Sequence, residues 1–241
     1  MSVPSILYVR HKALQRKCNT LWLWPLSHYY KLMMDKQLIM HSIQATSYGG
    51  AATTMLYAFF KTLNLEIPPG PDYGRWKHMR TPPGFGPMSY LKVRKNFKVV
   101  YLLCNPMNAI ISLFRRKFHH WHVDRMEIQS QQLDRSLTLE EYLARGKDVY
   151  SMEEHFHNWS QCPRNNRDYP IMLLKYETMW NHLTDLFDFL EIPRSMIRHF
   201  PQRKKRHSDW QTQPKSIQRQ LYEIYGTFYE IIEAFPEIRV I

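Results

Sequence analysis

The segment Arg203-Lys204-Lys205-Arg206-His207-Ser208-Asp209-Trp210 sets four cations directly ahead of a histidine, a small hydroxyl, an acid and the largest aromatic. A loop of that composition can wrap a phosphorylated nucleotide. The cations meet phosphate oxygens through charge-assisted hydrogen bonds, and Asp209 and Trp210 fasten the loop to the body. Taken alone, the same run also fits a surface charge cluster or a nucleic-acid patch. A second group, Ser47-Tyr48-Gly49-Gly50-Ala51-Ala52 followed by Thr53-Thr54, lies between a strand-like and a helix-like stretch. Small residues there let backbone N–H groups approach an anion, and a helix N-terminus adds a favourable dipole. No Gly-Lys-Ser/Thr ending is present, which excludes a Walker-type kinase loop. A third group is Ser112, Arg115 and Arg116, at i, i+3 and i+4 behind Asn105-Pro106. They share a helix face and can hold a terminal phosphate, although a solvated basic face explains them equally well in isolation.

Three strand-then-helix units position these groups. In the first, residues 38–43 read as a strand, the loop covers 47–52, and the helix starts at Thr53 with Leu56, Phe59, Phe60 and Leu63 on one face. In the second, Lys98 to Leu103 is a near-continuous apolar run suited to a strand buried on both faces. Asn105 supplies an N-cap, Pro106 the first helical position, and Met107, Ile110, Ile111, Phe114 and Phe118 a buried stripe. In the third, residues 171–176 precede a helix bearing Leu183, Leu186, Phe187 and Leu190. Such alternation predicts a single α/β domain over 1–241, with a central parallel sheet flanked by helices. Residues 66–90, which hold four of the eight glycines, read as a Pro/Gly-rich substrate loop or lid. Helices are expected near 138–146 and 151–161, and a last one from about Pro214 with Ile217, Leu221, Ile224, Tyr225 and Phe228 on one side.

Composition bounds the function. With 44% hydrophobic and 14% aromatic residues the chain is not disordered, and its net charge of +12 favours anionic partners. Cys18, Cys104 and Cys162 are far apart and form no C-x-x-C pair, which suits reduced thiols in a cytoplasmic setting. The apolar stretch Leu21 to Leu26 is too short to span a bilayer, so no membrane partner is expected. His119, His120 and His122 have no partner cluster at zinc-type spacing, so no metal is expected and these rings are read as solvated or facing substrate.

The order of pieces is more specific than any one of them. It resembles the sulfotransferases that use 3′-phosphoadenosine 5′-phosphosulfate (PAPS), over roughly residues 37–235. Gly49-Gly50-Ala51-Ala52-Thr53-Thr54 is similar to that family's phosphosulfate loop, Pro-Lys-x-Gly-Thr-Thr. Cys104-Asn105-Pro106 with Ser112 has the spacing of its 3′-phosphate site, Arg-x-Pro followed by Ser. Arg203 to Trp210 resembles its late loop, Arg-Lys-Gly-x-x-Gly-Asp-Trp. The resemblance implies a P-loop-like nucleotide-binding core, PAPS as co-substrate and 3′-phosphoadenosine 5′-phosphate (PAP) as the product left behind. It places Ser47, Tyr48, Gly49, Gly50, Ala51, Ala52, Thr53, Thr54, Ser112, Arg115, Arg116, Tyr176, Arg203, Lys204 and Lys205 around the nucleotide, Tyr176 against adenine. It also implies His78 as the base that takes the acceptor's proton and Ser112 as a second catalytic group. Two departures stand out. Gly50 replaces the loop lysine, so another cation must reach in, and Cys104 replaces the arginine, for which Arg115 or Arg116 can substitute. The expected activity is sulfuryl transfer to a hydroxyl or amine of a small metabolite, of the kind that tailors natural products. The alternative is a non-catalytic nucleotide- or nucleic-acid-binding protein on the same fold. Oligomeric state is left open.

Overall fold

The apolar run Lys98–Leu103 is the central strand of this computed structural model, which describes residues 38–39, 41–68, 74–89, 91–126 and 133–241. Val99 to Leu103 have no exposed surface, as a parallel strand covered on both faces requires. In chain order the strands are β1 (Leu38–Ile39), β2 (Ile43–Thr46), β3 (Lys92–Val93), β4 (Lys98–Leu103), β5 (Ile171–Lys175) and β6 (Ile238–Val240). The α-helices are α1 (Thr53–Thr62), α2 (Pro106–Arg115), α3 (His119–Arg125), α4 (Leu139–Leu143), α5 (Met152–Ser160), α6 (Leu183–Leu190) and α7 (Lys215–Ala234). The main sheet runs β2-β4-β5-β6, and β1 pairs with β3 separately. β2 and β5 flank β4 in parallel, with Thr46 opposite Tyr101 and Leu103 opposite Lys175. The chain therefore leaves all three strands along one edge, carrying Ser47, Cys104 and Tyr176 to it. In open α/β sheets that carboxyl edge is where ligands bind.

The helical expectations hold best where capping chemistry is explicit. The Asn105 side chain accepts the Asn108 N–H at 3.2 Å and Pro106 occupies the first turn of α2. α2 nevertheless ends at Arg115. Lys117 turns into the left-handed region at φ 55, and Phe118, expected in the buried stripe, is 49% exposed. The first strand of the main sheet is β2 and not 38–43. Gln44 and Thr46 disguise it, because they are buried polar residues: Gln44 Nε2 donates to Trp76 O at 3.0 Å and Thr46 Oγ1 to Lys77 O at 3.1 Å, while Gln44 Oε1 is buried without a partner among the described residues. β6 was not expected and makes the sheet mixed, joining β5 antiparallel at the edge.

One further correction and one observation concern the site. α3 buries His119, His122, Val123 and Met126, an i, i+3, i+4, i+7 face. His119 and His122 are thus core groups and not solvated or substrate-facing ones. The described part of the expected lid is fixed to the body. Trp159 Nε1 donates to Met79 O at 2.9 Å, Tyr169 Oη to Pro83 O at 2.6 Å and Asn158 Nδ2 to Arg80 O at 3.3 Å. Residues 69–73 and 90 of that loop, and the apolar segment 21–26, lie outside the described residues.

Candidate nucleotide and sulfuryl-transfer site

The loop after β2 curls tightly before α1. Gly49 and Gly50 have φ +114 and +69, and Ala52, the N-cap of α1, has φ 63 and ψ 22. A left-handed alanine costs on the order of 1–2 kcal/mol, a strain typical of ligand-binding turns. Both glycines are also dictated by contact. A Cβ on Gly49 would lie 2.5 Å from His122 Nε2, and one on Gly50 would lie 2.7 Å from Ala109 Cα. Gly50 thus cannot carry the lysine found there in the resembling loop. The groups left for an anion are backbone: the N–H groups of Thr53 and Thr54 at the start of α1, since Ala52 O accepts those of Met55 at 2.9 Å and Leu56 at 3.2 Å.

Side chains around the loop divide into supports and presenters. Ser47 Oγ accepts the Gly49 N–H at 3.1 Å. Tyr48 is fully buried, and its hydroxyl donates to Cys104 O and accepts the Cys104 N–H at 2.8 Å. Ser47 and Tyr48 therefore brace the loop, and their side chains do not face a ligand. Thr54 is exposed, and its hydroxyl receives a hydrogen bond from Lys77 Nζ at 3.3 Å. Lys77 is 3% exposed, and its carbonyl is fixed by the Ser47 N–H at 2.9 Å and the Thr46 hydroxyl at 3.1 Å. A cation thus reaches the start of α1 from the segment Gly74–His78.

His78 sits behind the same loop. Its Nδ1 lies 2.8 Å from Ser47 O, and its ring meets that of His122 edge-on at 4.5 Å. His122 Nε2 lies 2.8 Å from Tyr48 O, and His155 Nδ1 lies 3.0 Å from Tyr101 Oη. Burial, then the neighbouring His122, holds His78 well below the usual histidine range. Burial pushes His122 down to about 4 and His155 to about 3. All three rings are neutral at pH 7. Because a carbonyl can only accept, His78 Nδ1 carries the proton and Nε2 holds the lone pair, the tautomer a general base needs.

The late loop closes the opposite side. Arg206 donates Nε to Ser208 Oγ at 3.0 Å, Nη1 to Glu177 Oε1 at 3.0 Å and Nη2 to Gly50 O at 3.3 Å. Its Nη2 also lies 3.9 Å from Cys104 Sγ, and its guanidinium lies 5.2 Å from the Tyr176 ring centroid. Glu177 accepts the Asn105 N–H at 3.2 Å as well, although burial raises its carboxyl above the usual range against the pull of Arg206. The Trp210 N–H donates to Asn108 Oδ1 at 2.8 Å, and its ring contacts Tyr222 and Tyr229. Two clefts, of about 320 and 390 Å³, flank this loop and share Lys205 and Arg206. The first is also lined by Tyr176, Arg203 and Lys204. Arg203 stacks over Trp180 at 5.9 Å. Ser112 is buried, with its carbonyl accepting Arg116 Nε at 3.1 Å, while Arg115 is exposed. Burial, then Arg115 and Arg206, lowers the pKa of Arg116. The guanidinium that touches Cys104 is thus Arg206, and not Arg115 or Arg116.

Residues 57–228, more than two thirds of the chain, match the sulfotransferase domain family. The chain belongs to that family. The matched stretch contains Cys104 to Ser112, Tyr176 and the late loop, and begins just after the loop at 47–54. Among curated proteins and among solved structures, none matches. Arg206 links loop 47–54 to the cleft lined by Tyr176, Arg203, Lys204 and Lys205, Lys77 and His78 pack against the loop at Thr54 and Ser47, and Ser112 and Arg116 bond to each other on α2. Sequence reasoning missed Lys77, Glu177 and Asn108 and left Arg206 out of the nucleotide set. Adjacency to His78 and membership of the cation run were the signals available for Lys77 and Arg206. No group able to hold a metal, and no helix long and apolar enough to cross a membrane, occurs among the described residues.

Proposed function

We infer that this sulfotransferase moves the sulfuryl group of PAPS to a hydroxyl or amine of a small metabolite. The observation that carries the reading is the arrival of a cation at each place where the family motif lacks one: Lys77 beside Thr54 for the loop lysine, and Arg206 beside Cys104 for the arginine. A motif that merely decayed would leave both places empty. In this reading the α1 N–H groups and Lys77 offset the charge that builds on the departing 5′-phosphate, the kind of preorganised stabilisation that dominates such transfers. His78 Nε2 takes the acceptor's proton while its Nδ1–H stays on Ser47 O. Tyr176, Arg203, Lys204 and Lys205 line the nucleotide cleft. Clamping the reactants supplies the remainder by proximity.

Isothermal calorimetry with PAP, 5′-AMP and single-stranded DNA tests the reading, followed by transfer from radiolabelled PAPS to a panel of phenols, alcohols and amines. PAP is expected to bind at micromolar affinity with 5′-AMP well behind. Equal binding of 5′-AMP rejects PAPS as donor, and tighter binding of DNA favours the nucleic-acid alternative.

A further inference from the structure

Arg167 lies on the loop that leads from α5 into β5, at the end of the main sheet away from the nucleotide cleft. It is 8% exposed, and arginines are almost never buried so deeply without a partner for their charge. Nη1 donates to Tyr169 O, and the guanidinium lies 5.7 Å from the centroid of the Tyr169 ring. Nε and Nη2 are buried and meet no acceptor among the described residues. Those two atoms form the side-on fork with which an arginine grips an anion through paired hydrogen bonds. The titratable neighbours do not supply the missing charge. Burial holds the Cys162 thiol above its usual range against the pull of Arg167, and burial raises the Tyr169 hydroxyl as well. Both are neutral at pH 7. The Tyr169 ring meets Phe97 edge-on at 5.0 Å, and Tyr169 Oη is committed to Pro83 O at 2.6 Å. A buried charge without a counter-charge is strongly destabilising.

We propose that the Nε–Nη2 fork of Arg167 binds a small monovalent inorganic anion, a halide or a planar oxyanion such as nitrate, as a structural ion at the amino end of the sheet. One guanidinium offsets one negative charge, so a dianion such as sulfate brings a second buried charge and is disfavoured. The ion fixes the guanidinium over Tyr169, and Tyr169 in turn holds Pro83, so the site secures part of segment 66–90 from behind. The inference is independent of the sulfuryl donor and acceptor.

The test is a thermal melt of the full chain in sodium gluconate, a bulky carboxylate, with chloride, nitrate or sulfate substituted at constant ionic strength, for wild type and Arg167→Met. An anion at ten times its Kd should raise the wild-type midpoint saturably, by roughly 3–6 °C. Arg167→Met keeps an apolar stem and removes the charge, so it should melt in gluconate at or above wild type and lack the saturable rise. Rises common to both proteins come from the nucleotide cleft or from general salt effects and subtract out. A chloride response in wild type no larger than in a folded Arg167→Met overturns the proposal, and a sulfate difference as large as that for chloride overturns the monovalent assignment. If Arg167→Met does not fold, wild-type crystals grown in bromide decide. Anomalous scattering at hydrogen-bond distance from Nε and Nη2 supports the site, and its absence there overturns it.

Discussion

Lowering the pH from 7.0 to 5.5 should destabilise this protein by several kcal/mol, because its buried histidines stay neutral while the unfolded chain takes up protons. Burial puts His41 and His122 at about 4 and His155 at about 3, against an unfolded value of 6.5. A folded pKa below the unfolded one gives stability that is present above about 6.5 and lost as pH falls toward 4. At 1.36 kcal/mol per pK unit, each ring loses about 1.2 kcal/mol over that interval, or about 4 kcal/mol for the three. His78 adds to the loss in the same direction. Asp148 opposes it: burial raises its carboxyl to about 6, so protonation in the folded state recovers about 0.8 kcal/mol. The net loss of about 3 kcal/mol is a large share of the roughly 5–15 kcal/mol that holds a domain together. Urea titrations followed by tryptophan fluorescence at pH 7.0, 6.25 and 5.5 measure it, with the slope checked for constancy. A change below about 1 kcal/mol would refute the assignment of these rings as neutral and desolvated.

Lys77→Met keeps the apolar stem and removes the charge, so turnover should fall about 10²–10³-fold with PAP still bound; rapid-quench kinetics decide, and near-normal turnover removes Lys77 from the reaction. His78→Ala should cost about 10²–10⁴ in turnover with little change in nucleotide affinity; if nucleotide binding is lost instead, His78 is a brace for Ser47 and not a base. Gly50→Lys should not rescue anything: with φ +69 and a Cβ 2.7 Å from Ala109 Cα it should lower stability by roughly 1–3 kcal/mol, and a melt at or above wild type contradicts the packing. Asn108→Ala removes the acceptor of the Trp210 N–H and should weaken PAP binding by about 1–2 kcal/mol through a looser late loop, with an unchanged Kd as the contrary result.

The parts of this fold that were legible in the sequence carry their own local signal. β4 is apolar and buried from Val99 to Leu103, and Asn105-Pro106 announces α2 through capping alone. β2 lies beyond the strand expected at 38–43 because Gln44 and Thr46 interrupt the apolar pattern, and only the fold supplies Trp76 O and Lys77 O to accept from them. α3 was passed over for a similar reason. Its inward face contains two histidines, and a histidine fits a core only where a backbone carbonyl meets its ring nitrogen, as Asp134 O meets His119 and Tyr48 O meets His122.

The candidate site shows the same limit in sharper form. A motif asks which residue stands at a position, whereas an anion asks only which charge arrives at a point in space. At Gly50 and Cys104 the two questions have different answers. Position 50 is closed to any side chain by the backbone of α2, so in the proposed reaction its charge comes from Lys77, on a segment whose carbonyl is pinned to β2 and to Ser47. Position 104 lies under the late loop, where Arg206 is held by an acid that also ties down the start of α2. Neither replacement has a fixed sequence spacing to the residue it replaces, since each crosses from a different wall. Spacing therefore could not find them, while the register of β2, β4 and β5, which brings the walls to one edge, determines that they meet.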